Sequence, residues 1–291
     1  MQRSVVLLSL LNVFIVILTS CSHSSGKNRR YSTENEQLSI ESSITIIGQP
    51  DTDGSEPLII KNSSDSSFIC KPAPLSNISE QLIEKSFFIV SYNRDTKCPN
   101  WVAWHLTAEH TDGPIGRLSN FYEDEDVPEP RATLADYRKS GWSRGHMCPA
   151  GDNKWDEQAM YESFALTNVC PQSASLNSGL WNSIEIDCRK WAKKYGDVYI
   201  VCGPIFLNKE HETICENKVA VPEAFFKVVL CLTGKPKAFG FIVRNTEGNM
   251  KKDVYYNSVD QVERITGIDF SPALPDDIEN KVEAEANIND W

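Results

Sequence analysis

Hydrophobic and polar positions change character along the chain near residue 81. Beyond that point, the runs FFIVSY, WVAWHL, VYIVCG, FFKVVLCL and AFGFIV are separated by glycine, proline and asparagine, a pattern typical of buried strands. Helical periodicity is clearest over residues 158–164, 178–195 and 258–266. The patterning therefore predicts an α+β fold with a mixed, mostly antiparallel central sheet and flanking helices.

The stretch before this region has a different composition. Residues 21–80 are rich in serine, asparagine, threonine and aspartate, which indicates a spacer interrupted at most by short strands such as SITIIG and PLIIK. A single folded domain is predicted over residues 81–275, and an acidic C-terminal tail over residues 276–291. No internal repeat is apparent.

The first twenty residues look like an export signal. A basic start, MQR, precedes an apolar run over residues 5–18 and the sequence LTSC. This pattern resembles a bacterial lipoprotein signal, with residues 1–20 removed and lipid attached to Cys21. A plain secretory signal and an uncleaved anchor are the alternatives. The expected location is a bacterial membrane reached through the N-terminal lipid, at the outer membrane or cell surface rather than the inner membrane.

Cysteine content and charge refine this expectation. The chain has nine cysteines, and those other than Cys21 are even in number, so disulfide bonds are predicted without a readable connectivity. The formal net charge is −11, which is unusual for a protein that binds polyanions. A nucleic-acid site would therefore need a local basic cleft, and binding is expected to be modest in affinity and sensitive to salt.

Candidate chemistry concentrates in the run SGWSRGHMCPAGDN and the residues that follow it. His146 is suited to act as a base near neutral pH. Asn177 and Glu185, two helical turns apart, offer an amide oxygen and a carboxylate to an oxygen-preferring divalent cation. Arg144 would face the same side of a strand as His146 and could stabilise charge on a phosphate. This set predicts metal-dependent phosphodiester cleavage.

The stretches DYRKSGWSRGHMCPAGDN and LTNVCPQSASLNSGLWNSIE resemble the DNA/RNA non-specific endonucleases. The family pattern of Arg-Gly-His, then Asn-x-x-Pro-Gln, then Asn-x-x-x-Trp-x-x-x-Glu occurs here in order, and weaker similarity runs from about residue 87 to 270. The resemblance implies a ββα-metal (His-Me finger) active site that hydrolyses DNA and RNA. The implied cofactor is Mg²⁺, with Mn²⁺ or another divalent cation possible.

The resemblance also implies residue roles. His146 would be the general base and Asn177 the direct protein ligand of the metal. Arg144, Asn168 and Glu185 would orient water around the metal or stabilise the phosphate. Arg117 would act with them, although its alignment to the family pattern is looser.

One position departs from the family pattern and keeps other readings open. Ser143 stands where the family usually has aspartate, which puts the rate in question more than the reaction. A catalytically weak nucleic-acid-binding surface lipoprotein is the first alternative, and a disulfide-stabilised adhesin is the second. Mg²⁺-dependent degradation of plasmid and RNA distinguishes all three. The sequence does not indicate an oligomeric state.

Overall fold

The structure is a computed structural model that describes residues 45–47, 58–61, 69–247 and 250–291. The predicted signal segment and the proposed lipid attachment site at Cys21 lie outside these residues. Within the predicted spacer, the two apolar runs form a short antiparallel pair, β1 and β2. Among the described residues, no helix is both long enough and apolar enough to cross a bilayer.

The strands and helices follow the predicted hydrophobic runs closely. The strands are β1 Thr45–Ile47, β2 Leu58–Lys61, β3 Gln81–Glu84, β4 Phe88–Asn93, β5 Cys98–Thr107, β6 Ser143–His146, β7 Val169–Gln172, β8 Asp197–Ile205, β9 Thr213–Ile214, β10 Val219–Ala220, β11 Ala224–Cys231, β12 Lys237–Arg244 and β13 Tyr256–Asn257. The helices are α1 Leu134–Tyr137, α2 Glu157–Glu162, α3 Ala174–Leu176, α4 Asn182–Tyr195, α5 Val259–Thr266 and α6 Asp276–Ala284.

A seven-stranded sheet organises the domain, in the order β13-β12-β11-β8-β5-β4-β3. Every neighbouring pair in this sheet is antiparallel. Strands β6 and β7 form a separate two-stranded hairpin, as do β9 and β10. The predicted α+β class with a mostly antiparallel central sheet is thus confirmed.

Both faces of the sheet are buried, and alternate residues of β8 show the division. Val198 and Ile200 pack into a core that includes Ile184 of α4. Tyr199 and Val201, which point the opposite way, pack into a second core that includes Val262 of α5. Helix α4 therefore covers one face of the sheet, and α5 and α6 cover the other.

The C-terminal residues are part of this domain. Composition predicts an acidic tail over residues 276–291, but Val282 of α6 is buried in the second core. The Trp291 ring lies 5.2 Å from the ring of Trp191 and 4.7 Å from that of Phe239, measured between centroids. Apolar positions spaced among the acidic residues account for this packing, because they give the segment one face that can be buried.

The predicted disulfide bonds are not present among the described cysteines. No disulfide bond joins Cys98, Cys148, Cys170, Cys188, Cys202, Cys215 or Cys231 to one another. All of these except the exposed Cys215 are buried, and burial raises the pKa of the Cys188 thiol to about 12. An even cysteine count predicted pairing, whereas the tertiary structure uses these side chains as small apolar core residues.

Candidate active site

The candidate site is built on a hairpin followed by a helix. Strand β6 ends at His146, which pairs with Val169 at the start of β7. Helix α3 begins two residues after β7 and continues through a π-helical turn, Asn177–Trp181, into α4. This order of two strands and a helix is the ββα arrangement that the motif implied.

Gly145 is required by a close approach across the hairpin. A Cβ atom at this position would lie 2.4 Å from Oε1 of Gln172, so any larger residue would displace that side chain. Gln172 is fully buried, and neither polar atom of its amide has a hydrogen-bond partner among the described residues. The glycine thus allows β7 to pack directly under the backbone that precedes His146.

His146 is enclosed by two aromatic rings from distant parts of the chain. Its ring centroid lies 4.8 Å from that of Phe121 and 4.9 Å from that of Phe164. The side chain is buried, and its Nε2 atom has no hydrogen-bond partner among the described residues. The two phenylalanines therefore fix the imidazole without using its polar atoms.

Two arginines complete the surroundings of His146. The Arg144 guanidinium carbon lies 4.4 Å from the Phe121 ring centroid, and that of Arg117 lies 5.5 Å from the Phe164 centroid. Both arginines are exposed, and neither belongs to a salt bridge between described residues. They leave an uncompensated positive charge beside the imidazole, which is the local basic site that the acidic chain needs.

Burial and these charges keep His146 neutral. Burial of the ring, followed by the charges of Arg117 and Arg144, lowers the pKa of His146 to about 3. The imidazole is therefore unprotonated in the free protein throughout the neutral range.

This shift predicts a loss of stability in acid. The unfolded chain binds a proton at His146 below about pH 6.5, whereas the native state does so only near pH 3. The stabilising contribution is complete above the unfolded pKa and is lost as the pH falls toward the folded pKa. At pH 4, we expect wild type to have lost about 3 kcal/mol more unfolding free energy, relative to pH 7, than a His146→Gln variant. Urea unfolding at both pH values measures this difference, and equal losses would contradict the buried neutral state.

Asn168, which immediately precedes β7, joins the loop after β6 to the end of α2. Its Nδ2 donates to the carbonyl oxygens of Cys148 and Ser163, each at 2.8 Å, and its Oδ1 accepts from the Cys148 N–H at 2.9 Å. The side chain is fully buried. These bonds hold the loop that follows His146, so the geometry indicates that Asn168 acts on the position of the base. A direct role of Asn168 with water at the metal stays a prediction.

The helix that carries Asn177 and Glu185 is not uniformly α-helical. In an α-helix, the eight-residue step between them would leave a drift of about 80° past two full turns. The π-helical turn Asn177–Trp181 takes more residues per revolution and thereby reduces this drift. Trp181 is completely buried, while Asn177 and Glu185 remain partly exposed. The π-turn thus brings the amide and the carboxylate closer to one face.

Glu185 lies in a strongly charged environment. Burial raises the pKa of its carboxyl to about 7, and the charge of Lys227 opposes this rise. Arg117 also opposes it, and Arg117 is the same residue that lowers the pKa of His146. Because one guanidinium acts on both groups, the structure brings His146, Arg117, Arg144 and Glu185 into one neighbourhood.

Three charged residues lie beneath the site, and the sequence analysis assigned none of them a site role. Lys227 of β11 is completely buried, with its Nζ 4.9 Å from the Trp104 ring centroid and 4.8 Å from that of Trp181. Asp152 accepts from Arg189 Nη1 at 2.8 Å and from Trp104 Nε1 at 3.1 Å. In the sequence, Lys227 could have been noticed because it interrupts the apolar run FFKVVLCL. A charged side chain in a buried strand needs partners, which would have pointed to acidic or aromatic residues nearby.

The residues present fit a divalent cation that prefers oxygen. The Asn177 side chain makes no hydrogen bond within the described part of the chain, which leaves its amide oxygen available. Glu185 adds a carboxylate on the same helix, and no thiolate is available there because Cys188 is buried and its pKa is raised. Such a donor set suits Mg²⁺ or Mn²⁺, which need few protein ligands.

Comparison with known proteins agrees with this geometry. The DNA/RNA non-specific endonuclease family matches residues 65–277. A mitochondrial nuclease EXOG of Danio rerio is 38% identical over 203 residues, covering 64% of this chain and 59% of the relative. Nuclease C1 of Cunninghamella echinulata var. echinulata is 36% identical over 213 residues, covering 67% of this chain and 84% of the relative.

A solved structure, described as that of the EndoG/EndoGI complex, superposes with a TM-score of 0.65 at 30% identity, covering 68% of this chain and 89% of that chain. The present chain spans less than two thirds of the length of the EXOG relative, so the match concerns the folded domain. Because the family model matches residues 65–277, which is most of the chain, this chain belongs to the DNA/RNA non-specific endonuclease family.

Proposed function

We propose that the protein is a Mg²⁺-dependent, sequence-non-specific endonuclease that hydrolyses phosphodiester bonds of DNA and RNA. The observation that carries the proposal is the neutral His146 held between two phenylalanines, beside two exposed arginines that form no salt bridge with any described residue. A base and a phosphate-binding charge are thereby placed together.

Substrate binding and base strength are coupled in this arrangement. Arg117 and Arg144 lower the pKa of His146 because their charges repel a proton on the ring. A phosphate bound by these guanidinium groups neutralises that charge, which raises the pKa of His146. His146 therefore becomes a better proton acceptor when the scissile phosphate is present. Its proton comes from the attacking water.

Asn177 and Glu185 would hold the metal ion, Asn177 by direct ligation and Glu185 by accepting hydrogen bonds from its hydration shell. When bound, the ion supplies Lewis-acid stabilisation of the phosphate oxygens and of the leaving group. Lys227 and Arg117 help to keep Glu185 ionised, because their charges lower its pKa toward the normal range.

A groove beside the helix offers a path for the polynucleotide backbone. The groove is lined by residues of the helix and of the segment before β13: Ser175, Gly179, Leu180, Ser183, Met250, Lys251, Lys252 and Asp253. Lys251 is exposed and forms no salt bridge within the described residues, whereas its neighbour Lys252 pairs with Asp187. A backbone-directed contact of this kind carries no base preference, which agrees with non-specific cleavage.

The proposed function is tested by incubating the purified protein with supercoiled plasmid and with single-stranded RNA, with and without Mg²⁺. Degradation of both in Mg²⁺, and of neither in EDTA, is expected. Binding of both substrates without cleavage would instead identify the catalytically weak nucleic-acid-binding alternative, for which Ser143 is the motif departure. Absence of both binding and cleavage would contradict both.

We further propose that the protein is exported and lipid-anchored through Cys21. Support comes from the basic start, the apolar run and the sequence LTSC at residues 18–21. The Cys21→Ser variant is expected to leave the membrane fraction, because its lipid attachment site is lost. Fractionation followed by immunoblotting measures the change, with Cys215→Ser as a matched control that should stay membrane-bound. Unchanged membrane association of Cys21→Ser would indicate an uncleaved anchor.

A further inference from the structure

Three carboxylates meet on the face of the sheet opposite to helix α4. Asp260 and Glu263 lie one turn apart on α5, and Glu283 lies near the end of α6. One oxygen from each side chain lies within 4.8 Å of the others. Because α5 and α6 pack into the second core, this carboxylate cluster is separated by the sheet from the candidate active site.

Glu283 differs from an ordinary acidic surface residue because its side chain is buried. Its residue is only 5% exposed, and its Oε1 atom has no hydrogen-bond partner among the described residues. A buried carboxylate oxygen without a partner is costly. Glu263, by contrast, accepts a hydrogen bond from the Phe270 N–H at 2.9 Å.

No positive side chain compensates the cluster. None of the salt bridges between described residues includes Asp260, Glu263 or Glu283. Burial, followed by the charge of Glu263, raises the pKa of Glu283 to about 8. Asp269 and Glu279 add further negative charge around the same point. A cation would relieve repulsion that the protein itself leaves uncompensated.

We propose that Asp260, Glu263 and Glu283 bind a Ca²⁺ ion that joins α5 to α6. Ca²⁺ accepts carboxylate and water oxygens in flexible geometry at distances of about 2.3–2.6 Å. Ligand oxygens around such an ion lie up to about 4.8 Å apart, and the three carboxylate oxygens lie within 4.8 Å of one another. Mg²⁺ is a poorer fit, because it demands shorter distances and near-octahedral geometry.

The consequence of binding is structural. Helix α6 is attached to the domain through Val282 and a few other apolar contacts, so a cation shared with α5 would add a direct link between the two helices. A ligand that binds only the native state raises the midpoint of thermal unfolding. The cluster therefore predicts calcium-dependent stability that does not depend on catalysis.

The test is thermal unfolding of the full-length, chelator-treated protein titrated with CaCl₂, combined with calorimetric measurement of Ca²⁺ binding. Wild type is expected to unfold roughly 5 °C higher at a Ca²⁺ concentration a hundredfold above Kd. Asp260→Asn and Glu283→Gln should each abolish this shift. Both variants should retain nuclease activity in Mg²⁺ if the wild type has it.

Asn177→Ala is the control for cation binding at the candidate active site. It should keep the full Ca²⁺ shift, because it leaves the carboxylate cluster intact. The proposal is overturned if wild type shows no shift, if the shift survives in Asp260→Asn, or if it disappears in Asn177→Ala. An equal shift with Mg²⁺ would overturn the assignment of Ca²⁺.

Discussion

Replacement of His146 by alanine is expected to reduce kcat/KM for plasmid cleavage by about 10²–10⁴-fold while the protein remains folded. The reason is that the described groups whose charges act on the same site are unsuited to replace it: Arg117 and Arg144 are permanently charged, and Glu185 is proposed to act at the metal. Initial rates at several substrate concentrations measure the loss. Circular dichroism and thermal unfolding confirm that the variant is folded.

His105→Asn is the matched control for this variant. His105 lies on β5, stacks on Tyr199 with 4.3 Å between ring centroids, and contacts Asp197 through Nε2 at 2.8 Å. Its replacement removes a histidine outside the proposed machinery, so cleavage should stay close to that of wild type. Near-normal cleavage by His146→Ala would rule out the assignment of the base.

The second large effect is expected for Asn177→Ala. This substitution removes the proposed direct ligand, so the Mg²⁺ concentration that gives half-maximal activity should rise by more than about tenfold, the scale found when even an outer-sphere partner is lost. Titration of cleavage rate against Mg²⁺ measures the change. Because Asn177 is partly exposed and its amide makes no hydrogen bond within the described residues, the substitution should cost little stability.

Asn182→Ala provides the comparison on the same helix. Asn182 is exposed and begins α4 just after the π-helical turn, so its loss should leave the Mg²⁺ dependence unchanged. An unchanged Mg²⁺ requirement in Asn177→Ala, or wild-type cleavage that persists in EDTA, would contradict the proposed metal site.

The lowered pKa of His146 and the raised pKa of Glu185 have different consequences for catalysis. The pKa of His146 is lowered to about 3, so protonation of this base does not limit activity near neutral pH in the free protein. The pKa of Glu185 is raised to about 7 before any cation is bound, so metal binding competes with a proton at this carboxyl. The structure therefore assigns sensitivity to mild acid to the metal site rather than to the base.

The regular elements followed from local patterns. Strands β4, β5, β8, β11 and β12 coincide with the five apolar runs, because residues buried on both faces of a sheet leave a continuous hydrophobic signal. Helices α2 and α5 were likewise predicted, because their apolar residues recur at helical spacing over a few turns. The hairpin and helix of the candidate site were expected from the family resemblance, which implied a ββα arrangement.

Other features depended on contacts between distant segments. The cysteine count predicted disulfide bonds. In the structure, most of the described cysteines are instead buried in the core, and no disulfide bond joins any two of them. Composition marked residues 276–291 as a tail, yet Trp291 found an aromatic partner in Phe239. In each case, composition reports the types of residues available, whereas burial depends on surfaces that come together only in the folded domain.

By itself, the sequence determined the α+β class and the order of the strands and helices, because these are carried by residues close in the chain. It also predicted the site residues His146, Asn177 and Glu185 from their motif spacing. Tertiary structure alone decided that Phe121 and Phe164 enclose the base and that the π-helical turn aligns Asn177 with Glu185. It also placed the charge of Lys227 beneath the site. The physical reason is that pKa shifts and side-chain orientation arise from neighbours in space, and sequence periodicity records only neighbours along one element.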